Sequence, residues 1–189
     1  FMMRFRERGI CAIMLGLKRP GTSGNGEMAR VGGTMRGALA KVPEKAETYA
    51  LVLDLRAPRR LPERLAPLPL APGPYLYAGS AQGPGGPQAR LARHLRRQKP
   101  RHWHLDWLTG APPALVRING FAAFAGAGEC DVVAWLTARG AKQVSGLGAS
   151  DCRRCAGHLV ALSWAPGLDE LVVGLGGTLV WSRDIPRIR

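Results

Sequence analysis

Acidic side chains are scarce in this chain: 13 Asp and Glu stand against 27 Lys and Arg, a formal charge of +14. No acid occurs between Glu63 and Asp106, and in that interval Arg90, Arg93, Arg96, Arg97, Lys99 and Arg101 crowd together. Such a balance disfavours acidic partners and points to a polyanion, nucleic acid ahead of an anionic membrane surface. A solubilising coat of arginines is the plain alternative, but clustering speaks for a patch. Long apolar runs are missing as well. None approaches the ~20 residues that span a bilayer, so no membrane association through a spanning helix is expected. The stretch from Gly9 to Leu17 follows a basic start but is short and lacks a small-residue cleavage site, which leaves the cytoplasm as the expected compartment. Cysteine is sparse: Cys11, Cys130, Cys152 and Cys155 in 189 residues exclude a disulfide framework and read as thiols or metal ligands. The turn Gly83-Pro-Gly-Gly86 lacks the Lys-Ser/Thr ending of a phosphate loop and the Rossmann glycine spacing, which excludes a nucleotide fingerprint. Internal repeats are absent.

What is present is a single domain with tails. Residues 1–46 mix Gly, Met, Arg and Ser without sustained periodicity and read as a basic, disordered tail. Phe1 precedes two methionines, and Met35 is a candidate start. Thr48 to Leu55 alternates Tyr49, Leu51, Leu53 and Leu55 with Thr48, Ala50, Val52 and Asp54, a strand. A Pro/Arg-rich connection follows, from Ala57 to Gly73, anchored by Leu65, Leu68 and Leu70 and expected as a loop or edge strand. Tyr75 to Ala78 is a strand with both tyrosines on one face. Gly79 to Gly86 form a pliable turn whose backbone, together with Ser80, is expected to approach a ligand. Pro87 suits the first turn of a helix on which Arg90, His94 and Arg97 share one face and Leu91 and Leu95 another. Trp103 to Leu108 is a weak helix; Ala114 to Phe124 is a strand interrupted by Gly120; Glu129 to Ala138 is a helix stopped by Gly140. Gly157 to Ser163 reads as a strand, and Leu168 to Val180 is apolar and ambiguous. The domain is expected over residues 47–165, with 166–189 a C-terminal extension whose basic end is frayed.

Taken in order, Glu47-Thr-Tyr49, Tyr77-Ala-Gly79, the Arg90-x-x-x-His94 pair, a downstream His102 or His104, and Glu129 opening a later helix resemble the GIY-YIG nuclease superfamily. The stretches Tyr77-Ala-Gly-Ser-Ala81, His102-Trp-His-Leu-Asp106 and Ser150-Asp-Cys152 are most similar to its Uri-type branch. Glu47 stands where the first Gly of the pattern is expected and Ala78 where the second Ile is, and the interval between the two tyrosines is long. The resemblance implies a compact α/β domain with a small, largely antiparallel sheet flanked by helices. It also implies a Mg²⁺-dependent (or Mn²⁺-dependent) endonuclease acting on DNA phosphodiesters, with RNA left open as a substrate. Without a dedicated recognition domain, specificity would come from DNA shape or from a protein partner.

The chemistry accounts for the residue types. Phosphodiester hydrolysis needs an activated water, neutralisation of a charged transition state and help for the leaving oxygen. The resemblance makes Tyr49 the proton acceptor, Arg90 the phosphate clamp and Glu129 the metal ligand, with Tyr77, His94 and His104 completing the catalytic set. One carboxylate suits a Mg²⁺ ion that keeps several waters, and Glu129 shares a helix face with Val133 and Leu136, toward protein. For a helical 102–104 segment only one of His102 and His104 faces the site. Gly79, Ser80, Arg93, Arg97, Lys99, Arg101 and His102 are the expected DNA contacts. A rival reading keeps binding and loses cutting, with Trp103, Trp107 and Trp135 stacking on bases. Finally, Cys152-Arg-Arg-Cys155-Ala-Gly-His158, with Cys130 as fourth ligand, is either a structural zinc site or a set of ordinary thiols. Nothing marks an oxyanion hole for a Cys152–His158 nucleophile pair.

Overall fold

The fold described here comes from a computed structural model, which describes residues 34–163 and 168–182. Six strands form one antiparallel sheet: β1 (Thr48–Leu55), β2 (Gly73–Ser80), β3 (Val116–Phe124), β4 (Lys142–Val144), β5 (Leu159–Ala161) and β6 (Thr178–Ser182), in the order β4-β5-β2-β1-β3-β6. The expected α/β class with an antiparallel sheet flanked by helices is the observed one. β1 is central, so its alternation does not separate core from solvent. Leu51 and Leu53 are buried on one face, Ala50 and Val52 on the other.

Helices cover both faces, a three-layer arrangement that buries each side of a sheet. On the face of Leu51 lie α1 (Met35–Ala38), α2 (Gly86–Leu95) and α3 (Asp106–Thr109), through Ala38, Leu91 and Leu108; on the face of Val52 lie α4 (Glu129–Thr137) and α5 (Leu168–Leu175), through Val132, Val133, Leu136 and Leu171. α2 begins at Gly85, whose φ of +81° favours glycine, and has Pro87 in its first turn. α4 is capped by Asp131, which accepts from the Gly128 N–H at 2.9 Å.

Several expectations change. Residues 34–46 are not a free tail: Thr34 Oγ1 accepts from the Gly37 N–H, and Ala38, Val42 and Ala46 are buried against the sheet. Residues 1–33, including Cys11, lie outside the described residues. In the connection, Leu61, Leu65 and Leu70 are buried while Leu68 is exposed, because an Arg59–Leu70 bridge turns Leu70 inward. β3 continues through Gly120 by means of a bulge: Val52 faces Gly120 and Leu53 faces Ile118, leaving Asn119 as the extra residue. The ambiguous apolar stretch is α5 followed by β6, which pairs with β3; residues beyond Ser163 therefore supply an edge strand and part of the second layer. Of the end expected to fray from Trp181 to Arg189, Trp181 and Ser182 belong to β6 instead, and residues 183–189 lie outside the described residues.

Candidate active site

β1 and β2 place Tyr49 and Tyr77 on the same face, their ring centroids 6.4 Å apart. Tyr49 is paired across the ladder with Gly79. A Cβ on Gly79 would lie 2.4 Å from both the terminal ring carbon and the hydroxyl oxygen of Tyr49. The glycine is therefore the space that the Tyr49 ring occupies, a more specific role than the expected backbone approach to a ligand. From α2, His94 Nε2 meets the Tyr49 hydroxyl at 2.7 Å. Burial, reinforced by Lys99, holds the His94 imidazole neutral, with its pKa lowered to about 3. Burial and Tyr77 push the Tyr49 phenol well above its ordinary value, against the pull of Arg90. With both groups neutral, the Tyr49 hydroxyl and His94 Nε2 share one hydrogen bond whose direction follows the His94 tautomer, and His94 Nδ1 is buried without a partner among the described residues. Tyr77 is likewise raised to about 12, by burial first and Glu129 second.

Above this pair opens a hollow of about 310 Å³ lined by Tyr49, Tyr77, Gly79, Ser80, Arg90, His102, Trp103, His104, Glu129, Gly148, Ser150, Asp151 and His158. Residues from β1, β2, α2, the turn before α3, α4 and the β4–β5 loop meet there, although they span more than half the chain. Arg90 packs over Trp103, 5.2 Å from the ring centroid, and donates to the Gln82 carbonyl; among the described residues its enclosed Nε has no partner. Glu129 is half-buried at the first position of α4, and among the described residues no hydrogen bond or ion pair engages its carboxylate. His104 Nδ1 accepts the Gly148 N–H at 3.0 Å, so in the neutral ring Nε2 carries the proton.

Both His102 and His104 line the hollow, against the expectation that only one could. Residues 102–105 are a turn rather than a helix, because Asp106 gathers their backbone: its Oδ2 accepts from the His102 N–H at 3.0 Å and the Trp103 N–H at 2.9 Å. Asp106 is fully buried; burial raises its pKa, but those two bonds, Arg93 at 2.7 Å and Lys99 at 3.6 Å outweigh it and hold the carboxyl low. Sequence reasoning did not single out this residue as functional. The available signal was its isolation, the first acid after a basic stretch of more than forty residues.

The expected DNA-contacting patch is largely turned inward. Lys99, with its side chain 3 % exposed, donates to the carbonyls of Arg93, His94 and Arg96 and to Thr109, and so closes the C-terminal end of α2. Arg97 donates to the carbonyls of Ala111 and Val116, and Arg93 to Pro100 and Asp106. Lys99 is therefore no phosphate contact, and Arg93 and Arg97 are tied to neighbouring loops. Arg101 is exposed and stacks on Trp107 at 4.2 Å. Trp135, between α4 and α5, lines a separate hollow of about 420 Å³ with Arg139 and Val173, away from the tyrosines.

Beside the first hollow, Cys130, Cys152, Cys155 and His158 each offer one ligand atom, and these atoms lie within 4.8 Å of one another. Such a cluster can bind a metal ion such as zinc. The Cys152 thiol is pulled down to about 6, chiefly by the Arg154 N–H, whereas burial pushes Cys130 up to about 12.

No curated protein and no solved structure matches this chain. One family does, over residues 48–175, from the first residue of β1 to the last of α5. That span covers both tyrosines, the arginine, the histidines, Glu129 and the cysteine cluster, and the chain belongs to the family described as domain of unknown function DUF123.

Proposed function

We propose that this protein is a Mg²⁺-dependent endonuclease of GIY-YIG type, of the Uri-type branch, that hydrolyses DNA phosphodiester bonds. The observation that carries the reading is the convergence of Tyr49, Arg90, His104 and unpaired Glu129 on one hollow. A half-buried carboxylate and a guanidinium lining one hollow are the pair of charges that a phosphate and its cation would engage. Glu129, with the oxygen donors of Ser150 and Asp151 lining the same hollow, fits a hard cation that keeps most of its waters. When bound, Mg²⁺ would supply positive charge beside the scissile phosphate.

Each residue then has a role. Arg90 takes a phosphate oxygen through the part of its guanidinium that lines the hollow. His104 donates Nε2–H to a second oxygen, its tautomer set by Gly148. Tyr49 orients the attacking water and accepts its proton while passing its own to His94 Nε2. The protein's own environment sets both pKa values against that transfer, so the charges that promote it arrive with the ligands: phosphate favours the imidazolium, and cationic charge favours the phenolate. Tyr77 packs against this pair and shields it from water.

The neutral, buried Tyr49–His94 pair also supports a second reading, a DNA-binding module that does not cut. One experiment separates the two. Wild type, Tyr49→Phe, Arg90→Ala and Glu129→Gln are incubated with branched, nicked and plain DNA, in Mg²⁺ or in chelator. The nuclease reading expects cleavage by wild type only with the metal, and losses on the order of 10²–10⁴ in rate for each variant. Binding without cutting in Mg²⁺ and Mn²⁺ selects the module. Equal cutting by all four proteins assigns the activity elsewhere.

A further inference from the structure

We infer that Cys130, Cys152, Cys155 and His158 hold a tetrahedral zinc ion whose role is to clamp the β4–β5 loop onto the first turn of α4, making one wall of the hollow depend on the metal. Zn–S bonds of about 2.3 Å and Zn–N bonds of about 2.0–2.1 Å at tetrahedral angles put sulfurs about 3.8 Å apart, and sulfur and nitrogen about 3.5 Å apart. Cys130 and Cys152 sulfurs are 3.4 Å apart, and Cys130 Sγ is 3.9 Å from His158 Nε2. The ligand shell is thus already near its bound size.

A second observation points the same way. The N–H groups of Arg154 and Cys155 both aim at Cys152 Sγ, each at 3.3 Å. Paired N–H donors onto one sulfur stabilise a thiolate, the form a metal binds. His158 is buried, and its ring contacts the thiols of both Cys130 and Cys152. Its position is enforced by Gly157, where a Cβ would fall 1.8 Å from the Val144 carbonyl oxygen. Any side chain at 157 would push β4 and His158 apart.

The ligands come from two places only: Cys130 from α4, the other three from the stretch between β4 and β5. That stretch is tied mainly to itself, to β4 and to β2, by Gly146 N–H to Ala156, His158 N–H to Leu147, Ala156 N–H to the Gln143 side chain and Ala78 N–H to His158; among the described residues its bond to α4 outside the thiol–imidazole cluster is the exposed Arg154–Asp131 pair. It nevertheless supplies Gly148, Ser150 and Asp151 to the hollow, and Gly148 sets the His104 tautomer. Cys130 directly follows Glu129, so the clamp also restrains the carboxylate. Three thiolates and Zn²⁺ leave one negative charge, next to Arg153 and Arg154. Zinc binding at this cluster does not depend on cleavage activity.

The test uses the full chain. Elemental analysis of protein purified without chelator should find stoichiometric zinc, and Co²⁺ exchanged for it should give the intense visible bands of a tetrahedral thiolate site. Cys152→Ser and Cys130→Ser should lose the metal, whereas Cys11→Ser should keep it. Stripping zinc from wild type should lower the melting temperature and open the chain to trypsin at Arg153 and Arg154, and adding zinc should reverse both. The wild-type arm stands even if a variant fails to fold. Metal-free protein whose Cys130, Cys152 and Cys155 titrate as free thiols overturns the proposal, as does the mass deficit of a Cys130–Cys152 disulfide. Zinc bound with no effect on trypsin cleavage overturns the clamp.

Discussion

His94 makes the protein acid-sensitive, and the size of the effect follows from its surroundings. The ring is 1 % exposed, hydrogen-bonded to Tyr49 and flanked by Lys99, Arg93 and Arg90, with Asp106 the opposing charge. Its pKa falls from the ordinary 6.5 to about 3 in the folded protein. In the unfolded chain the imidazole takes up a proton once pH drops below 6.5; in the folded chain it does not until about 3. Between these values the unfolded state binds more protons, so stability rises with pH across the window and is lost as pH falls. Each pH unit below 6.5 costs about 1.4 kcal/mol, so going from pH 7 to pH 5 should remove roughly 2 kcal/mol. That is a large share of the stability of a small domain. Asp106, held below its ordinary 3.8, stays ionised and does not contribute between pH 7 and pH 5. The assay is urea unfolding at pH 7 and pH 5 for wild type and His94→Gln, which keeps an acceptor for Tyr49 but cannot titrate. Wild type should lose about 2 kcal/mol more than the variant. Equal losses in the two proteins, or an NMR titration of the His94 ring near 6.5, would refute the buried neutral imidazole.

Gly79→Ala should cost about 1–3 kcal/mol in urea unfolding, because its methyl occupies the place of the Tyr49 ring end; an unchanged midpoint would show that the ring is free to move. His104→Ala should slow cleavage by about 10²–10³-fold, whereas His104→Gln, which keeps an N–H near the Nε2 position, should recover most of it. Equal loss in both would mean that the ring titrates in the reaction. Lys99→Met should leave the salt dependence of DNA affinity unchanged while lowering stability by about 1–3 kcal/mol, since the ammonium caps α2 and meets no phosphate. A flattened salt slope in Lys99→Met would restore it to the interface.

Local pattern carries part of this fold and site. Alternation announced β1, the order tyrosine strand, glycine turn, Pro87 placed α2, and Glu129 ahead of Val132, Val133 and Leu136 placed a carboxylate at the start of an apolar-faced helix. The four-residue interval between Arg90 and His94 put both on one side of α2, although only the structure separates them: Arg90 reaches the hollow, and His94 lies beneath Tyr49. Tertiary structure alone decided which charges face outward. Lys99, Arg93 and Arg97 look like a phosphate-binding row in sequence, yet their partners are Asp106, Thr109, Ala111 and Val116, brought near by the turn before α3. The same holds for residues 34–46 and for α5 with β6, whose apolar residues carry no clear period and become structure only against a sheet built elsewhere in the chain. Cys130 meets Cys152 because α4 packs beside the β4–β5 loop. Periodicity records which side of an element is apolar; the partner of a charge, a thiol or a hydroxyl is set by packing between distant segments, which a local pattern does not encode.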